Sequence, residues 1–99
     1  MTDVSIHINN INRCSFLFSV SLSNDEVNQK SYSLLMRDIE KLNECNQRSD
    51  LLMLQVQVIH IRNSLNFLSL SINDNYPFNC LKHAVTQLHT TLLNTCCSI

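Results

Sequence analysis

Glycine and tryptophan are both missing from this chain, and proline occurs once. Phosphate-cradling loops need glycine where backbone N–H groups close on a ligand, so Walker-type and dinucleotide-binding loops are excluded. Tight turns must be built from other residues. Asparagine tolerates left-handed backbone best after glycine, which points to turns at Asn9–Asn10, Asn63 and Asn73-Asp74-Asn75. A basic excess is lacking too: seven Lys and Arg stand against eight Asp and Glu. Phosphate neutralisation drives autonomous nucleic-acid binding, so this balance argues against a chain that grips RNA or DNA by itself. No apolar run approaches the ~18 residues of a membrane span.

What is present is globular. The 99 residues are 44% hydrophobic and 15% charged. That suits one domain over residues 1–99 with a single core. Five cysteines (Cys14, Cys45, Cys80, Cys96, Cys97) at irregular spacing read as reduced thiols of an intracellular protein. A competing reading takes Arg13 and the stretch from Cys14 to Val20 as a signal-like segment. Removal up to about Ser23 would leave four cysteines to pair in a small secreted signalling ligand.

Periodicity gives the expected elements. Cys14, Phe16, Phe18, Val20 and Leu22 alternate with intervening residues that are mostly serine, the pattern of a half-buried strand. Val4-Ser5-Ile6-His7-Ile8 alternates as well and reads as an edge strand. Ser23 to Glu26 form a capping box. It opens an amphipathic helix of about 20 residues along Tyr32, Leu35, Met36, Ile39 and Leu42, ending near Cys45–Asn46. Leu54, Val56 and Val58 predict a strand over 51–61. Arg62–Asn63 would then be a hairpin turn, and Leu68, Leu70 and Ile72 mark the returning strand. A helix through 51–68 is the alternative there. Pro77 belongs at the start of a last helix carrying Leu81, Ala84, Val85, Leu88 and Leu92 to about Thr95. The expected fold class is α+β, (β)-β-α-β-β-α, with one sheet and two helices on one of its faces. Tyr32, Leu35, Ile39, Leu88 and Leu92 are expected to face Phe16, Phe18, Val20, Val56, Val58, Leu68 and Leu70.

The chemistry-bearing residues form no complete constellation. Cys80 and His83 have the i, i+3 spacing of two metal ligands, but no second pair completes a site, so no metal or other cofactor is expected. Cys–His nucleophile pairs can be drawn without a third residue to orient them, and no catalytic residues are assigned. Arg13, Arg62 and Lys82 are the candidate RNA contacts, if they share one end of the sheet.

The segments Cys14 to Val20, Ser33 to Ile39 and Leu68 to Leu88, taken with this order of elements, resemble the small α/β protein subunits of ribonuclease P and ribonuclease MRP. That resemblance implies a noncatalytic subunit of a nuclear ribonucleoprotein that processes precursor tRNA or rRNA. Its partners would be other protein subunits, with RNA touched at most indirectly and no membrane or small-molecule substrate involved. No individual site residue carries over. Without it, the residues point to a protein-binding subunit that is not itself an enzyme, docking through a strand edge or an amphipathic helix.

Overall fold

The chain's computed structural model describes residues 2–21, 29–72 and 75–97, with the side chains of 2, 3, 29 and 95–97 left aside. Four helices account for nearly all of it: α1 (Thr2–Ser21), α2 (Gln29–Gln47), α3 (Leu51–Leu68) and α4 (Tyr76–Cys97). Among the described residues there is no strand. The expected α+β class is therefore corrected to all-α. The candidate strand at 4–8 and the described part of the candidate strand at 14–23 are α1, and the candidate hairpin is mostly α3, with Arg62–Asn63 inside the helix instead of at a turn. The alternative of a helix through 51–68 is what forms. The capping box at Ser23 to Glu26 lies outside the described residues.

A repeat of alternating three- and four-residue steps builds the core. Val4, Ile8, Ile11, Ser15 and Phe18 are buried on α1, and Leu54, Val58, Ile61, Leu65 and Leu68 on α3. Phe78, Leu81, Val85, Leu88 and Leu92 are buried on α4. Leu35, Ile39 and Leu42 do the same on α2, extended by the partly buried Tyr32. Steps averaging 3.5 residues keep each stripe turned toward its neighbours along the bundle. Consecutive helices pack together and α1 closes against α4, while the diagonal pairs stay apart. This is an up-and-down four-helix bundle, 45 × 20 × 20 Å. The α1–α2 seam is its thinnest contact.

The serines that suggest a strand are accommodated inside α1 by bonding backward. Ser15, Ser19 and Ser21 donate to the carbonyls of Asn12, Phe16 and Phe18 at 2.9, 2.7 and 2.8 Å. Each hydroxyl is thereby satisfied within its own helix. The expected sheet-facing set divides accordingly. Phe18, Val58 and Leu68 are buried, whereas Phe16, Val20, Val56 and Leu70 point to solvent.

Turn chemistry departs from expectation in one informative place. The left-handed residue between α2 and α3 is Ser49, with φ 54°, and no asparagine adopts that region among the described residues. Ser49 N–H donates to Asn46 O at 3.1 Å and Asp50 N–H to Cys45 O at 3.2 Å, the two closing bonds of a Schellman motif. Asp50 then caps α3 by accepting from Met53 N–H at 3.2 Å. Asn9, Asn10 and Asn63 are helical, and Asn73 and Asp74 lie outside the described residues. Asn75 does serve a helix start, accepting from Phe78 N–H at 2.9 Å, with Pro77 in the first turn of α4.

Candidate functional site

The bundle separates the candidate basic residues. Arg13 stands exposed on α1. Arg62 of α3 and Lys82 of α4 flank one small recess of about 60 Å³, which Asn66 and Thr86 also line. Both have partners inside the molecule. Arg62 Nη1–H donates to His89 Nδ1 at 2.6 Å, and Lys82 Nζ lies 5.7 Å from the centre of the Phe78 ring. Arg62 and Lys82 are brought together, and Arg13 is left on another helix.

The thiols and imidazoles gather better than their spacing suggests. His7 and Cys14 of α1 and Cys80 and His83 of α4 line one open groove of about 540 Å³. Even so, among the described residues no three His, Cys, Asp or Glu side chains converge to hold a metal ion. Burial pushes the Cys14 thiol above its ordinary range, Cys80 adds to the rise, and Arg13 opposes it. A hydrogen bond to Cys80, with the charge of that group, likewise raises the Tyr76 phenol. An activated nucleophile needs a lowered thiol pKa, so the direction of the Cys14 shift is wrong for one.

The outer face of α3 is the feature that spacing arguments for chemistry do not reveal. Opposite its buried stripe, Leu52, Val56, Ile59, Asn63 and Phe67 fall within an arc of about 80° at 100° per residue. Leu52 is 70% exposed, Phe67 58%, and Leu70, in the turn just after the helix, 83%. Beside it, Leu34 of α2 joins Asn63 and Phe67 in lining a groove of about 440 Å³. Arg62 is the only fixed charge on the helix. A helix that is apolar on two opposite sides is normally covered on both. The signal that exposes this face is the 52–56–59–63 spacing, which lies within the stretch whose alternation suggests a strand. A shorter apolar patch on α1 is formed by Phe16, Leu17 and Val20.

No helix among the described residues is long and apolar enough to cross a membrane. Comparison of the chain with protein-family models, with curated proteins and with solved structures gives no match.

Proposed function

We propose that this chain is a noncatalytic assembly subunit, a four-helix module that binds a helix of a protein partner along the outer face of α3. One observation carries the reading: α3 exposes Leu52, Val56, Ile59 and Phe67 on the side opposite its buried stripe. An exposed apolar patch of this kind marks an interaction site. Its position along one side of an 18-residue helix suits helix-against-helix docking. The narrower assignment to a tRNA- or rRNA-processing particle loses the strand–helix–hairpin–helix order that supports it, and the proposal does not depend on RNA.

Affinity purification from cells that express the protein, with and without ribonuclease, tests this on wild type and Ile59→Glu. Ile59 is half-exposed and points away from the core, so the variant should keep its helical circular dichroism. Nuclease-resistant partners lost from Ile59→Glu are the expected result. An identical partner set for both proteins would overturn the proposal.

A further inference from the structure

The two seams that hold α1 are unequal. Its contact with α4 is the most extensive in the bundle and its contact with α2 the least, so α4 is what keeps α1 in place. Cys14 of α1 and Cys80 of α4 line one groove along that seam, each half-buried and neither bonded to another sulfur. The helices run antiparallel, and the Phe18 and Phe78 rings, 5.1 Å apart, mark where they are level. From there Cys14 lies four residues back along α1, about 6 Å. Cys80 lies two residues on along α4, about 3 Å, toward the same end. The two cysteines therefore stand within about 3 Å of one level. Charge on Cys80 reaches Cys14, and charge on both reaches the Tyr76 phenol, which is hydrogen-bonded to Cys80.

We infer that Cys14 and Cys80 are a redox pair, closing into a disulfide that ties α1 to α4 when the chain meets a low-molecular-weight disulfide such as oxidised glutathione. The thiolate of one cysteine attacks a sulfur of the reagent, forming a mixed disulfide and releasing one glutathione thiolate. The thiolate of the other cysteine then attacks the protein sulfur of that bond and releases the second glutathione. The protons lost by Cys14 and Cys80 end on the two glutathiones, so the chain is oxidised by two electrons and the reagent is reduced by two. The new bond closes a loop over residues 14–80, which includes all of α2 and α3. Long loops lose the most unfolded-state freedom on cross-linking. In the reduced chain α1 is held by packing alone; in the oxidised chain it cannot leave α4. Cys45 is on α2 and does not line this groove.

Incubation of the folded full chain with oxidised glutathione at about pH 8.5, where much of an ordinary thiol is ionised, tests this after alkylation and tryptic mapping. Cleavage after Arg13, Lys30, Arg62 and Lys82 leaves residues 14–30 and 63–82 with one cysteine each, so the bond has a unique signature. The expected product is those two peptides linked, lighter than their sum by the two thiol hydrogens. It should be lost in Cys14→Ser and in Cys80→Ser and kept in Cys45→Ser, with circular dichroism showing each variant folded. The mapping on wild type decides the matter whether or not a serine variant folds. The thermal midpoint of the linked protein should rise by about 10 °C and fall back on reduction. Links confined to Cys45, Cys96 or Cys97, or to pairs of chains, would overturn the inference. So would glutathione retained on Cys14 or Cys80 without closure, no reaction at either cysteine, or a linked protein whose midpoint does not rise.

Discussion

Asn12 of α1 and Asn43 of α2 exchange two hydrogen bonds, each 2.9 Å, across the thinnest seam of the bundle. The second amide hydrogen of Asn43 goes to Ile39 O at 3.0 Å, which fixes its orientation along its own helix. With the Phe18–Tyr32 ring contact, 6.0 Å between centroids, this pair ties α1 to α2.

Removing one partner strands the other. Asn12→Leu and Asn43→Leu are each expected to destabilise the fold by about 0.5–1.5 kcal/mol, the net worth of a hydrogen bond, because the pair is part-buried. The double substitution should be milder than the sum, with a coupling of about 1 kcal/mol or more in a urea-denaturation cycle. Strict additivity would show that the pair is not an energetic unit.

Ser49 carries φ 54° in a chain with no glycine. A side chain there pays steric strain that glycine avoids, and the Schellman bonds that close α2 require the left-handed conformation whichever residue supplies it. Ser49→Gly is expected to raise stability by up to about 1 kcal/mol, since the roughly 1–2 kcal/mol of left-handed strain it relieves is partly offset by glycine's larger entropy loss on folding. In thermal melts the midpoint should rise by a few degrees, while Ser49→Val should lower it. A lower midpoint for the glycine variant would contradict the assigned geometry.

Two of the four helices are legible in the sequence and two are not, and the reason is the composition of their outer faces. On α2, the residues off the apolar stripe include Arg37, Glu40, Lys41 and Glu44, so the three- and four-residue steps stand out against a polar background. On α4, Lys82, His83, Gln87 and Thr90 do the same. α1 and α3 carry apolar residues outward as well, and a second stripe blurs the helical period into apparent alternation. Phe16 and Phe18 show the consequence: a strand puts them on one side, whereas in α1 Phe16 is 66% exposed and Phe18 is fully buried between Tyr32 and Phe78. Serine deepens the ambiguity, since Ser15 occupies a core position of α1 and breaks its stripe. Val56, exposed between the buried Leu54 and Val58, is the residue on the outer face of α3 that completes the strand-like alternation.

Gln57 is buried on α3, and its Nε2 has no hydrogen-bond partner. An unsatisfied buried donor destabilises by about 1–3 kcal/mol relative to an apolar group of the same shape. Methionine matches glutamine closely in length and volume. Gln57→Met is expected to raise the urea midpoint at unchanged m-value, whereas Gln57→Glu, which buries a charge, should lower it sharply. A Gln57→Met protein less stable than wild type would mean that the amide is satisfied in solution by a bond the fold must then accommodate.

The Cys14 thiol is held above its ordinary value of 9.0, chiefly because burial disfavours the thiolate, with Cys80 adding to the effect. Its raised pKa means that the folded chain keeps a proton which the unfolded chain gives up first. Stability is therefore unaffected well below pH 9 and falls as the pH rises past that point, because the unfolded state then binds fewer protons than the native state. Tyr76, also raised from 10.0, acts in the same direction at higher pH. Urea midpoints should be flat from neutral pH to about pH 8 and decline through the alkaline range. Cys14→Ala should decline less steeply, since one of the two linked groups has gone. In the same range, iodoacetamide should modify Cys14 more slowly in the native protein than in urea. Equal alkaline slopes for wild type and Cys14→Ala, with equal labelling rates folded and unfolded, would place this thiol in contact with water and remove the linkage.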